Sequence, residues 1–117
     1  MNDAEIRQYV DAEKALERIR GNAKLFKMLL TTFIESTGPQ FEQLKKEIEA
    51  DDREAAAKTV HAIKGVAANL SMTTLYELSP SFEALLKGDG DTAETFAAFQ
   101  AAFDKTTEAV QALLQQS

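Results

Sequence analysis

Residues 51–70, "DDREAAAKTVHAIKGVAANL", decide how this chain folds. Ala56, Val60, Ile63, Ala67 and Leu70 recur at intervals of three and four, the spacing of one helical face. Asp51 and Glu54 stand at capping-box spacing ahead of them and predict where the helix starts. Within the helix lie the chain's only histidine, His61, and one turn later a glycine, Gly65. Glycine in a helix interior costs about 1 kcal/mol relative to alanine. Ala62, Ala67 and Ala68 show that alanine is used freely around it. A local rule broken without local gain marks a place to look for function.

The helical period extends in both directions. Upstream, a short helix is expected near 12–20, with Asp11 as N-cap and Leu16 and Ile19 inward. Gly21-Asn22 interrupts it, and a second helix near 23–37 carries Leu25, Phe26, Leu29, Leu30 and Phe33. Gly38-Pro39 reads as a helix stop and a proline start. A third helix near 39–50 then repeats Phe41, Leu44 and Ile48. Downstream, a helix near 72–87 offers Leu75, Leu78, Phe82 and Leu85, with Pro80 expected to kink or split it. "KGDGD" at 87–91 is a turn, and a last helix after Asp91, with Glu94 at capping-box spacing, places Phe96, Phe99, Phe103, Val110 and Leu113 on one face. No strand pattern, repeat or low-complexity tract competes. The expected fold is all-α: an up-down antiparallel four-helix bundle with one or two additional short N-terminal helices. It is expected as one domain over 1–117, with its core at about 10–114.

Composition narrows the function. A chain of 117 residues with 44% hydrophobic content can build one core. The net charge of −6 argues against a nucleic-acid partner held through its phosphates. No stretch is apolar for long enough to span a bilayer, and the acidic start "MNDAEIRQYV" lacks a signal region. There is no cysteine, so disulfides and thiol chemistry are excluded. A cytoplasmic location is expected. So is a monomer, since one core uses most of the aromatic residues. "KGDGD" lacks the spacing of a calcium loop, and Gly88 and Gly90 follow no strand that would make a nucleotide loop.

With the apolar stripe facing the core, His61 points about 140° away from it, toward solvent. Ala57, Gly65 and Ala68 ring it with the smallest side chains, and Lys64 stands within one turn. The imidazole therefore has room for another protein's surface to approach. One histidine without cysteine is a poor metal set, and no triad or oxyanion-hole pattern accompanies it. A general base would need a concavity, which a bundle flank is not expected to offer. Reversible phosphoryl transfer fits better. Neutral imidazole is a nucleophile near neutral pH, and the reaction needs in-line access and charge neutralisation above all.

"HAIKGVAANLS" at 61–71 resembles the signature of the histidine-containing phosphotransfer (HPt) domain family: His, two residues, Lys-Gly, then small and apolar positions. "FKMLLTTFIES" before it, "LYELSPSFEALLKGDGD" after it and the final amphipathic helix follow the family's order, from about Val10 to Leu114. The resemblance implies that His61 accepts a phosphoryl group from the aspartyl phosphate of a response-regulator receiver domain and passes it on in a phosphorelay. Some members are phosphorylated by a sensor histidine kinase instead. It implies a carrier without an enzymatic centre of its own, with no cofactor and with Mg2+ supplied by the receiver. Lys64 is then the phosphate-side cation and Gly65 the clearance residue. The phosphoryl group is expected on the ring nitrogen distal to the backbone. A receiver is expected to dock over Ala57, His61, Gly65 and Ala68, with Glu83 as a further contact. Two positions depart from the pattern: Ser71 replaces a common glycine and is expected to N-cap the next helix, and Pro80 could displace Glu83. A helical adaptor that binds a partner without carrying phosphate is the alternative. An autonomous kinase is excluded by the missing nucleotide loop.

Overall fold

The computed structural model describes residues 1–116. Among them the elements are helical: α1 (Asp3–Tyr9), α2 (Ala12–Arg18), α3 (Ala23–Thr32), α4 (Gly38–Glu49), α5 (Arg53–Asn69), α6 (Thr73–Leu86) and α7 (Ala93–Gln115). A π-helical turn, Phe33–Thr37, joins α3 to α4. The ring of contacts runs α4 on α5, α5 on α6, α6 on α7, and α7 back onto α3. Short turns join α4 to α5, α5 to α6 and α6 to α7, so these neighbours run antiparallel. The outcome is the expected four-helix bundle with short helices at its N-terminal end.

Its first long helix differs from expectation. Gly38-Pro39 does not separate two helices, because Gly38 keeps helical angles (φ −55°, ψ −56°) and donates to the Phe33 carbonyl. Proline has no N–H to give and crowds the carbonyl four residues back. Widening one turn to the π form absorbs that conflict without breaking the rod. α3, the π turn and α4 thus form one bundle member.

Helix ends hold further corrections. The α5 N-cap is Asp52, which accepts from the Ala55 N–H at 3.2 Å, and Asp51 is left-handed at φ 54°. Ser71 does not cap α6. It sits left-handed at φ 53°, while Met72 N–H reaches the Ala67 carbonyl at 2.9 Å. That is the Schellman closure usually given to glycine, and the same closure falls on Arg20 (φ 56°) and Asp51. Glu94 forms no capping box, since Asp91 Oδ1 instead accepts from the Ala93 N–H at 3.0 Å. Asp11 does cap α2, accepting from Lys14 N–H at 3.2 Å. Within α2, however, Ala15 is the buried residue, and Leu16 and Ile19 are only half-buried.

The sequence reading missed α1. Asn2 and Glu5 form a capping box, and Ile6 and Val10 enter the core against α6 and α7. The core therefore begins before residue 10. Its centre is aromatic: Phe41 stacks on Phe103 at 4.3 Å between ring centres, and Phe82 meets Phe99 at 5.2 Å.

α6 is not split at Pro80, which lies on its exposed side. Its buried face is Leu75, Ser79, Phe82 and Leu86, with Leu78 and Leu85 half-buried. At about 100° per residue, that face turns Glu83 from about 120° off the expected stripe to about 70° off the real one. The shift brings Glu83 to the seam with α5.

Candidate functional site

α5 and α6 make the most extensive helix pair of the fold. Ala56, Val60, Ile63 and Ala67 are fully buried on α5, so His61 is turned outward, with 67% of its side chain exposed. Gly65 lies one turn along the same face, and a Cβ there would have no heavy atom within 4 Å. It is therefore no packing glycine, and the space above it is open.

The seam builds a polar cluster around Glu83, whose side chain is only 12% exposed. His61 Nδ1 lies 3.0 Å from Glu83 Oε1, and Lys64 Nζ donates to Oε2 at 3.0 Å. Lys87 Nζ is 3.7 Å from Oε1. Hydrogen bonding and charge from Lys64, then the nearby His61, hold the Glu83 carboxyl below its ordinary value of 4.5, against the opposing effect of burial. An ionised carboxylate can only accept, so the proton of the neutral ring sits on Nδ1. Nε2 is then left with its lone pair on the outward side.

This changes the place of several expected residues. Glu83 stands beneath the imidazole and does not belong to an outer contact surface, and Pro80 has not moved it away. Lys64 is committed to Glu83 and is only 25% exposed. Ala57 is buried and forms the floor of a groove, not part of an open face. Ala68 is half-buried, and its carbonyl accepts from Arg18 at 2.6 Å. The flank is also less bare than helical geometry suggests. A groove of 670 Å³ opens beside His61, floored by Ala57 and Leu86 and bordered by Arg53, Lys58 and Lys87. Lys87 went unnoticed in the sequence because its proximity depends on where α6 ends. Among the described residues, no group of three or more His, Asp or Glu is placed to hold a metal ion. Likewise, no helix among them is long and apolar enough to cross a membrane.

The fold and the site define a class: a four-helix bundle presenting one outward imidazole, its inner nitrogen protonated and its outer nitrogen free. The family model for the Hpt domain matches residues 28–116, and the chain belongs to that family. No curated protein and no solved structure matches it. Membership carries histidine phosphotransfer in two-component signalling, in the role of a phosphocarrier that works with response regulators and kinases. The match begins inside α3, so α1 and α2 lie outside it.

Proposed function

We propose that this chain is a carrier in a multistep phosphorelay, taking a phosphoryl group on His61 Nε2 from the aspartyl phosphate of a receiver domain and delivering it to another. The observation that carries this reading is the 3.0 Å contact of His61 Nδ1 with Glu83 in a ring otherwise open to solvent. Nε2 attacks phosphorus, the N–P bond forms, and the acyl-phosphate P–O bond breaks to return the receiver's carboxylate. The ring keeps its Nδ1 proton and becomes cationic, and Glu83 beneath it offsets that charge. Charge on the transferring oxygens has to be met as well, because the transition state is loose. The receiver's Mg2+ would supply positive charge there, and Lys64 acts from behind the ring through its pairing with Glu83. Gly65 leaves the partner's backbone room to approach, and Ala68 extends the contact along α5.

The test mixes the protein with radiolabelled phospho-receivers and Mg2+, alongside His61→Gln. Label that is acid-labile and alkali-stable, on the wild type alone, supports the reading. Labelling of the folded His61→Gln variant would exclude His61 as acceptor. A folded wild type that takes no label from any receiver leaves the adaptor reading in its place.

A further inference from the structure

The cations around the groove are not equivalent. Lys64 is held at 3.0 Å by Glu83 Oε2 and is three-quarters buried. Lys58, three residues before His61 on α5, is 78% exposed and pairs at 3.7 Å with Glu54, not with the carboxylate that holds the imidazole. Lys87 is 68% exposed and only loosely paired, yet its nearest carboxylate oxygen, Glu83 Oε1, is the one that binds His61. Lys87 is therefore the exposed cation whose carboxylate oxygen is also the one bound by the imidazole.

Its backbone position needs explaining. Lys87 follows the last residue of α6 and begins a turn, "KGDGD", that contains two glycines. Glycine-rich turns leave the backbone many conformations. Lys87 N–H still closes the last turn on the Glu83 and Ala84 carbonyls, at 3.3 and 3.2 Å, and beyond it one side chain gathers the carbonyls of the turn. Arg53, the first residue of α5, donates from Nη1 to the Leu85 carbonyl at 3.3 Å and to the Gly88 carbonyl at 2.8 Å. Its Nη2 donates to the Gly90 carbonyl. The three acceptors bracket Lys87. Arg53 also shares the α5 face of Ala57 and His61, at positions i, i+4 and i+8, so a single helix aims both the imidazole and the clamp.

We infer that Arg53 is a positioning residue whose clamp on the α6–α7 turn holds Lys87 beside His61, where Lys87 neutralises the phosphoryl group carried on Nε2. This deepens the carrier reading and rests on it. A planar guanidinium with several fixed donors suits such a clamp, and a lysine ammonium does not reproduce it.

The chain's only histidine permits a test without a partner protein. Phosphoramidate phosphorylates the tag-free protein: Nε2 attacks phosphorus, the N–P bond to the ring forms, and ammonia leaves. The phosphoryl resonance is then titrated by phosphorus NMR at low salt. A neighbouring cation favours the dianion, so Lys87→Ala should raise the titration midpoint by roughly half a pH unit. Lys87→Arg should keep it. Arg53→Ala, with helicity checked by circular dichroism, should raise it similarly, and the double variant should go no further than Lys87→Ala alone. Should Arg53→Ala unfold, Arg53→Lys carries the same test, because it keeps the charge and loses the fork. A wild-type midpoint in Lys87→Ala overturns the inference. So does a wild-type midpoint in the folded Arg53 variant beside a shifted Lys87→Ala. Failure of the wild type to take phosphate at all would instead remove the His61 reading beneath it.

Discussion

A carboxylate accepts hydrogen bonds and never donates them, and at Glu83 that one property selects the tautomer of His61. Glu83→Ala should release the ring into both tautomers, visible in imidazole nitrogen shifts. It should also slow transfer from a phospho-receiver roughly ten- to a hundredfold, the usual cost of losing an orienting partner. Glu83→Gln keeps an acceptor oxygen and should lose less. The same group acts on acid stability. Its pKa is lowered in the folded state, so its stabilising contribution is complete above the ordinary 4.5 and fades as pH falls through the lower folded value. Urea denaturation at pH 6 and pH 3 should show a shallower acid loss in Glu83→Gln, and an unchanged loss would show that the pairing does not matter for stability. Gly65 is the second test at this scale. Its Cβ position is empty, so Gly65→Ala should gain up to about 1 kcal/mol in denaturation. Gly65→Gln should stay folded and transfer slowly. Normal transfer in that variant would remove the clearance role.

At the scale of the element, three helices end in the same Schellman closure on residues other than glycine: Arg20, Asp51 and Ser71. Left-handed angles cost a side-chain-bearing residue about 1–2 kcal/mol. At Ser71 the hydroxyl is, in addition, buried without a hydrogen-bond partner. Ser71→Gly should therefore stabilise the protein by about 1 kcal/mol, read as a higher urea midpoint at unchanged slope. A lower midpoint would mean that the turn tolerates serine without strain. Proline affects two helices differently. Pro39 is absorbed by a π turn and Pro80 by an exposed position in α6, and neither ends a helix. Sequence rules read proline as a boundary, but the surrounding packing decides whether a helix can afford the lost hydrogen bond.

At the scale of the whole molecule, the N-terminal helix lies outside the family match and still belongs to the core. Ile6 is 5% exposed and Val10 1%, both packed where α1 crosses α6 and α7. Ile6→Ala should cost about 2–5 kcal/mol in chemical denaturation, the range for a buried aliphatic truncation. A change under 0.5 kcal/mol, at the level of an ordinary surface substitution, would mean that α1 is not part of the cooperative unit. Transfer by the folded variant should be unaffected, since α1 packs on α6 and α7 and lines no part of the groove beside His61.

The bundle, the stripe of α5 and the outward histidine beside Lys64 and Gly65 were legible in the sequence. They depend on residue spacing along one helix, and spacing is a local property. α1 escaped because seven residues with one buried side chain show no period, although Asn2 and Glu5 already had capping-box spacing. The rest was decided between helices. The choice between Leu85 and Leu86 as the buried residue is nearly neutral for an isolated α6. It is settled, with that between Leu78 and Ser79, by packing against α5 and α7, and together they turn Glu83 toward His61. The clamp of Arg53 on a turn 32 to 37 residues away has no trace in any local pattern. The sequence by itself determined which side chain faces outward. Only the tertiary structure decided which groups stand behind it, because contacts across a helix seam depend on rotations of tens of degrees that periodicity cannot resolve.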